Sequence, residues 1–450
     1  MGVTHRAEAV FLFLGDIVFF YLSLFLVLFL RYGLPFDQLV VRLHFLPFSL
    51  LFVFWILVFF IAGLYEQHTL MFQKRLPYRL FRCVAVNAVI AALLFYFFPA
   101  FLITPRINLI LYLIVSSALL LLWRVYGFAL FGMREKQPAL LIGSGRELRE
   151  LEAELSGNPR YGVRLAQSVD VSLPSGTEHA EEALRRVSAE KVSLVIIDLR
   201  HNNISPILPR LYALLFSGVK FVDLYKMYEE IFGRIPLSLL RHPWFLGNIS
   251  SVASSFAYDF LKRGMDSAVA FVLWICSLPA YPFIFAAIKL EDGGPIFVFQ
   301  ERVGHNNHII RTIKFRTMSR DDAGRTDLQR GNKVTRAGAF LRKTRIDELP
   351  QLWNVLRGEL SLIGPRPELP SLVAVYEREV PYYRARHLIK PGLSGWAQIY
   401  HENHPHHAAD VSETKVKLSY DLYYIKNRSL WLDVKIALKT IKILLSRSGV

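Results

Sequence analysis

Apolar positions crowd the first part of the chain into four runs, about 10–30, 46–64, 84–101 and 109–123, with very few charges inside them. Each approaches the roughly 20 residues that cross a bilayer as a helix. No small-residue cleavage site follows the first run, which reads as a retained helix and not a signal peptide. Asp16 lies within it and must face a partner helix or a polar cavity. Beyond Arg124 the pattern turns soluble. PALLIGSGRELRELEAELS (138–156) predicts an apolar strand, a glycine turn and an amphipathic helix, and VSLVIIDLR (192–200) and GVKFVDL (218–224) predict further buried parallel strands. A fifth apolar run, DSAVAFVLWICSLPAYPFIFAAIKL (266–290), is long enough to cross, but Pro279 and Pro282 interrupt it, each removing a backbone donor. Lys262 and Arg263 flank one end and Lys289 the other, so both ends can sit at the same anionic leaflet. The pattern predicts a re-entrant helix–break–helix over 262–290. Last, SLWLDVKIALKTIKILLSR (429–447) sets Leu, Ile and Trp on one broad face with Lys435, Lys439 and Lys442 elsewhere, as an interfacial helix does; a packed core helix is the alternative.

These elements predict three units: an α-helical membrane bundle of four transmembrane helices over 1–130, an α/β Rossmann-like unit over 131–250, and an α/β membrane-anchored catalytic unit over 251–450. In the second unit Gly143 and Gly145 supply the first two glycines of a dinucleotide fingerprint, but Leu148 stands in the third place, which favours a plain strand-to-helix turn. The loop between the second and third runs carries Lys74, Arg75, Arg79 and Arg82, against Arg31 and Arg42 in the first loop and Arg106 in the third. Positive-inside counting therefore puts both ends of the bundle and everything after Arg124 in the cytoplasm.

Composition agrees: 53% hydrophobic and 14% aromatic residues over 450 positions exceed what an ordinary soluble protein carries. Net charge is +16, and residues 301–346 alone hold twelve Lys/Arg against four Asp/Glu. Beside so much apolar sequence this favours phospholipid head groups or pyrophosphate over nucleic acid. Cys83 and Cys276 both lie in apolar runs and support neither a disulfide framework nor a zinc site.

The densest chemistry is RIDELPQLWNVLRGELSLIGPRPE (345–368): two adjacent carboxylates, a short amphipathic segment, then an arginine between prolines. Asp347, Glu348, Leu349 and Pro350 read as a helix start, with Asp347 as cap and the dyad at the electropositive N-terminus, where phosphate, magnesium and carboxylate can meet. Upstream lies QERVGHNNHIIRTIKFRTM (300–318) and downstream PGLSGWAQI (391–399). Together with GPRPE (364–368) and the dyad, these motifs resemble the bacterial sugar transferase family, over roughly 262–450. Within it the chain looks like a long-form monotopic phosphoglycosyl transferase, similar to undecaprenyl-phosphate galactose or glucose phosphotransferases of exopolysaccharide synthesis.

The resemblance implies transfer of a sugar 1-phosphate from a UDP-sugar to undecaprenyl phosphate with release of UMP, initiating exopolysaccharide, capsule or O-antigen synthesis at the inner bacterial membrane. It also implies the membrane hairpin, with Pro279 at the break, although Leu278 stands where shorter relatives carry serine. On this reading Asp347 is the nucleophile, forming an aspartyl-phosphosugar, and Glu348 a Mg2+ ligand or proton manager, with Asp347 as second metal ligand. Lys314, Arg316, Arg366 and Arg302 are the phosphate-binding candidates. The expected partners are the UDP-sugar, undecaprenyl phosphate, membrane lipids and a second copy in a homodimer. HENHPHH (401–407) reads as a polar loop, since no zinc-enzyme pattern accompanies it. Two rival readings remain: a membrane-tethered nucleotide-sugar dehydratase or epimerase, for which Tyr258 and Lys262 supply a Tyr-x-x-x-Lys pair, and a non-catalytic assembly scaffold. No motif reads the sugar ring.

Overall fold

The computed structural model describes residues 6–33, 38–65, 76–97, 106–132, 137–158, 161–249, 256–319, 333–400 and 410–446. The charges at Lys74 and Arg75 and the loop 401–407 fall outside them. The chain divides into two units, Met1–Leu224 and Tyr225–Val450.

In the first unit the four apolar runs become α1 (Arg6–Tyr32), α2 (Gln38–Ile61), α3 (Leu76–Phe97) and α4 (Arg106–Gly132). Phe20, Phe48, Trp55, Phe59 and Tyr112 fill the bundle's centre, while Val18, Val53, Phe81, Val89 and Ile114 stay exposed on its outside. Helices that are apolar all round suit a lipid surrounding. A Cβ on Gly15 would run into the Trp123 indole, so glycine lets α1 and α4 close together. The next residue explains the acid in the first run. Asp16 is fully buried and accepts from Arg124 Nε at 3.1 Å and Tyr65 Oη at 2.7 Å, while Arg124 also donates to the Leu64 carbonyl at 2.8 Å. A charge in an apolar bundle persists only when paired in this way.

The same unit holds β1 (Gln137–Gly143), α5 (Gly145–Gly157), β2 (Val163–Asp170), α6 (Gly176–Arg186), β3 (Leu194–Ile197), α7 (Leu208–Leu215) and β4 (Lys220–Asp223). The strands form a small parallel sheet in the order β2-β1-β3-β4. Leu148, in the third-glycine place, is buried, and a Cβ on Gly143 would strike the Leu224 side chain. Gly143 and Leu148 thus serve helix–sheet packing.

The second unit starts earlier than the composition reading placed it. Tyr225, Ile235, Leu240, Trp244 and Ile249, from α8 (Leu224–Phe232), α9 (His242–Asn248) and their connections, are buried in one core with Tyr376, Tyr383, Trp396, Leu422 and Ile436. This compact unit begins at Tyr225, where apolar burial and not a change in composition marks its start. Then follow α10 (Phe256–Ser277), a 3-10 turn at Leu278–Ala280 and α11 (Tyr281–Asp292). The antiparallel pair β5 (Phe297–Val303) and β6 (Ile309–Phe315) precedes α12 (Arg336–Thr344), a 3-10 turn at Ile346–Glu348 and α13 (Gln351–Arg357). The chain ends with β7 (Ser361–Ile363), α14 (Pro370–Glu379), a 3-10 segment at Tyr383–Leu388, β8 (Gly392–Ser394), α15 (Trp396–Tyr400), α16 (Val411–Asn427) and α17 (Leu430–Ser446).

Among the described residues, five helical segments are long and apolar enough to cross a bilayer, one more than the four expected spans; the fifth is Phe256–Glu291. Pro279 sits in the 3-10 turn that breaks it. Both limbs rest on the same unit. Ala270 and Trp274 of α10 pack with Leu352 and Val355, Ile284 and Ile288 of α11 pack with Phe315 and Leu341, and Leu349 touches both clusters. The flanking cations make bonds within the protein. Lys262 Nζ donates to Asp433 at 3.1 Å, and Arg263 donates to the Val355 and Leu356 carbonyls at 2.5 and 2.7 Å. A buried carboxylate needs a cation and the last carbonyls of α13 need donors, and these needs inside the protein outweigh solvation at a surface. The apolar side of the segment, including Phe260, Phe271, Val272, Phe283 and Leu290, remains exposed.

In α17, Leu432, Asp433 and Ile436 are buried, while Trp431, Val434, Ile441 and Leu444 line an exposed apolar stripe. Two of its lysines pack against aromatic rings. Lys435 lies over the Trp396 ring at 5.3 Å, and Lys439 is buried against Tyr400.

Candidate active site

The signature segment owes its geometry to two left-handed turns. Arg345, at φ 54, ends α12 and feeds the Ile346–Glu348 turn, and Gly358, at φ 84, ends α13. Asp347 is therefore not the helix cap expected of it. Pro350 precedes the first α-helical residue, Gln351, and no side chain caps either turn. The dyad sits one 3-10 turn ahead of α13. Asn354 then staples that helix to β6, accepting from the Ile313 N–H at 3.1 Å and donating to the Arg311 carbonyl at 2.8 Å. The register brings Lys314 to the dyad.

The GPRPE and PGLSG segments lie back to back. The Gly364 N–H donates to the Ser394 carbonyl at 2.8 Å and the Gly392 N–H to the Pro365 carbonyl at 2.9 Å. A Cβ on Gly392 would collide with the Gly364 backbone, so the close approach requires glycine there. Behind this pair a buried ionic cluster holds the loop that carries Arg366. Arg386 donates to the Arg366 carbonyl at 2.9 Å and to Tyr383 Oη at 2.6 Å, and pairs with Asp421 at 2.9 Å. Lys417 pairs with Glu368, and Arg302 reaches the Pro367 carbonyl at 3.3 Å. Burial alone would raise Glu368, but Lys417 and Arg386 outweigh it and bring it down to about 2. His387 beside them is pushed down to about 3, first by burial and then by Arg386, and is neutral at pH 7.

In front of the cluster, Arg302, Thr312, Lys314, Glu348, Gln351, Arg366, Pro367, Gly392 and Leu393 line one hollow. Glu348 Oε1 accepts from Arg366 at 2.7 Å and from Lys314 at 3.2 Å. Burial would raise Glu348, yet Arg366, Lys314 and Arg345 hold it well below the usual carboxylate range. Asp347 behaves oppositely. Burial and then the Glu348 charge push it up to about 6, against Lys314, Arg342 and Arg366. Among the described residues no hydrogen bond reaches its carboxylate. Lys314 is itself pushed down, by burial and then by crowding from Arg366 and Arg302, against the pull of Glu348. Three cations around one committed carboxylate make a pocket with a standing demand for negative charge.

Of the residues singled out from sequence, Asp347, Glu348, Lys314, Arg302 and Arg366 converge. Arg316 does not line the hollow. It is buried against Gly294, where a Cβ would collide with its guanidinium. Tyr258 and Lys262 both bond Asp433, at 2.8 and 3.1 Å, and so clamp α10 to α17. The sequence reading missed Arg342, which bonds Thr317 Oγ1 at 2.9 Å and acts electrostatically on Asp347, and missed Arg386 and Lys417 behind the loop. The Arg342-x-x-Arg345 spacing ahead of the dyad was the available signal; Arg386 and Lys417 had none. Among the described residues no three His, Cys, Asp or Glu side chains gather as a metal-binding group. Two carboxylates, one unbonded, still suit a magnesium ion that takes its remaining ligands from phosphate and water.

Residues 257–447 match the family described as bacterial sugar transferase. The chain is 39% identical over 271 residues to UDP-N-acetylgalactosamine-undecaprenyl-phosphate N-acetylgalactosaminephosphotransferase of Aeromonas hydrophila, covering 58% of this chain and 61% of that protein. It is 33% identical over 327 residues to undecaprenyl-phosphate glucose phosphotransferase of Komagataeibacter xylinus, covering 69% and 59%. The chain thus spans about three-fifths of these two relatives. A shorter relative, the uncharacterized sugar transferase EpsL of Bacillus subtilis, is 39% identical over 192 residues, 42% of this chain and 90% of that protein. Matched over nearly all of that relative, and with the dyad, the cationic hollow and the paired glycine loops all within residues 257–447, the chain belongs to the bacterial sugar transferase family.

Proposed function

We propose that the chain transfers a sugar 1-phosphate from a UDP-sugar to undecaprenyl phosphate, releasing UMP, at the inner face of a bacterial membrane, as the first step of a surface polysaccharide. The observation that carries this reading is the contrast within the dyad: a half-buried Asp347, whose carboxylate accepts no hydrogen bond among the described residues, stands beside a Glu348 held between Arg366 and Lys314. A carboxylate free to attack belongs next to cations that take up the charge of a pyrophosphate. Asp347 attacks the sugar-bearing phosphorus, the bond to the bridging oxygen breaks, and UMP leaves with that oxygen. An oxygen of undecaprenyl phosphate then attacks the same phosphorus, freeing Asp347 and yielding the lipid diphosphate sugar. Arg366, Lys314 and Arg302 neutralise the donor's phosphates, and Arg342 acts electrostatically on Asp347. Asp347 and Glu348 would hold magnesium, which neutralises phosphate charge when bound.

The re-entrant path of Phe256–Glu291 belongs to the same proposal. A straight helix of 36 residues would run about 54 Å, against a hydrocarbon core of about 30 Å. Yet Arg263 near its start is bonded to α13, and Glu291 at its end accepts the Arg336 and Ala337 N–H groups at 2.5 and 2.9 Å. Both ends being tied to one folded unit supports a segment that enters and leaves the same leaflet.

The test is a single-turnover assay on the full chain in nanodiscs with magnesium and a panel of UDP-sugars, without lipid acceptor. The right donor should give a UMP burst near one per site and a sugar-phosphate adduct on the peptide bearing Asp347. Full turnover by folded Asp347→Asn would overturn the mechanism.

A further inference from the structure

The dyad turn lies between two helices, and each of them is gripped by one limb of the membrane segment. Before the turn, α12 runs nine residues, about 13 Å. Its first N–H groups have no partners inside the helix. Thr335 Oγ1 accepts that of Gly338 at 2.9 Å, as a cap does. Those of Arg336 and Ala337 go to the two carboxylate oxygens of Glu291 at the end of α11, at 2.5 and 2.9 Å. Leu341 of the same helix packs with Ile284 and Ile288 of α11. The second limb thus holds α12 by a charge-assisted pair of bonds and an apolar contact. The first limb holds α13 in the same manner: Arg263 donates to its last carbonyls, and Ala270 packs with Leu352 and Val355.

Both grips bear on the turn between the helices. Arg345 there has left-handed backbone at φ 54, a region that side chains other than glycine rarely enter. Such a conformation persists only where the surroundings over-determine it, and it collects at working sites. Backbone bonds run through the turn without a gap: the Arg345 N–H donates to the Arg342 carbonyl at 3.1 Å, that of Glu348 to the Arg345 carbonyl at 3.2 Å, and that of Leu349 to the Ile346 carbonyl at 3.1 Å. A tilt of α12 is therefore passed on to Asp347 and Glu348 and not absorbed in a loose loop. The middle of α12 rests on Thr317, whose carbonyl a Cβ on Gly338 would strike. One contact makes a pivot; Glu291, at the helix start, supplies the second point that sets an axis. Glu291 is exposed, so water could satisfy the same N–H groups. What the carboxylate adds is direction.

Resting on the transferase reading, we propose that the membrane segment positions the dyad as well as anchoring the chain, with Glu291 as the positioning residue of its second limb. Glu291 touches no reacting group. It fixes the direction of α12, and through the left-handed turn at Arg345 it fixes the place from which Asp347 attacks.

The experiment uses the full chain in nanodiscs with magnesium and the UDP-sugar that the donor panel selects. Glu291→Ala should slow single-turnover UMP release about tenfold, the scale of a misplacement below about 1 Å, while the half-saturating donor concentration changes less than about twofold. Glu291→Asp keeps the carboxylate and should recover most of the rate. Thr335→Ala removes a cap from the same helix end without altering the membrane segment, and should leave the rate within about twofold of wild type. A wild-type rate in Glu291→Ala overturns the proposal, as does a loss confined to donor affinity. An equal loss in Thr335→Ala also overturns it, since fraying of α12 would then account for both. If Glu291→Ala does not fold, Glu291→Gln, which keeps one acceptor oxygen, decides: slower release at unchanged half-saturation upholds the proposal and a wild-type rate overturns it. The parent reading fails separately, by wild-type protein that releases no UMP from any donor.

Discussion

Titration of Asp347 gives the sharpest test of how the dyad works. Burial and the Glu348 charge lift it from an ordinary 3.8 to about 6, a difference worth about 3 kcal/mol between its two protonation states. In metal-free full-length protein its carboxylate should be roughly one-tenth ionised at pH 5 and nine-tenths at pH 7. Infrared difference spectra of wild type minus Asp347→Asn would follow the carboxylate band directly. Two variants should move the midpoint in opposite directions. Glu348→Gln removes the neighbouring negative charge and should lower it; Lys314→Met removes an opposing positive charge and should raise it. The same difference has a thermodynamic face. A group whose folded value is raised binds more protons folded than unfolded between about 4 and 6, so its ionisation opposes folding as pH rises through that window. Asp347→Asn should therefore raise the thermal midpoint at pH 7 and lose that advantage near pH 4. A carboxylate midpoint near 3.8 that neither variant moves would refute the reasoning.

Three further outcomes are expected. Cysteines introduced singly at Phe256 and Gly294 should both react with an impermeant thiol reagent from the cytoplasmic side only; labelling from opposite sides would make the fifth segment a true span. A fragment starting at Tyr225 should fold and release UMP in detergent, whereas one starting at Ser251 loses Trp244, Ile235 and Leu240 from the core and should be less stable by at least about 4 kcal/mol in denaturant titration. Lys417→Met leaves Glu368 buried without its nearest cation, which should cost about 3–5 kcal/mol and lower kcat/KM through the Arg366 loop; Lys417→Arg should recover most of both, and an unaffected kcat/KM in folded Lys417→Met would remove the cluster from any positioning role.

The sequence by itself determined the elements whose signal is local. Four apolar runs long enough to span lipid, the Pro279 break, the glycine turn at Gly143 and the carboxylate pair at Asp347 each declare themselves within about twenty residues. Periodicity and backbone chemistry act over that range. Strand β2 did not show, because its burial follows no clear alternation. The boundary at Tyr225 was likewise hidden: a change in composition marks where solvent preference shifts, whereas Trp244 and Ile235 are assigned by the side chains they meet more than a hundred residues later. The same limit applied at the site. Arg316 looked as suited to phosphate as Lys314 two positions before it, and only the fold turned one toward Glu348 and the other against Gly294. Lys262 and Arg263 carried the charge of lipid anchors, and only the fold shows that they also bond Asp433 and the end of α13. Residue type sets what a charged side chain can bind; which partner it meets depends on the competing desolvation costs of groups that only the tertiary structure brings together.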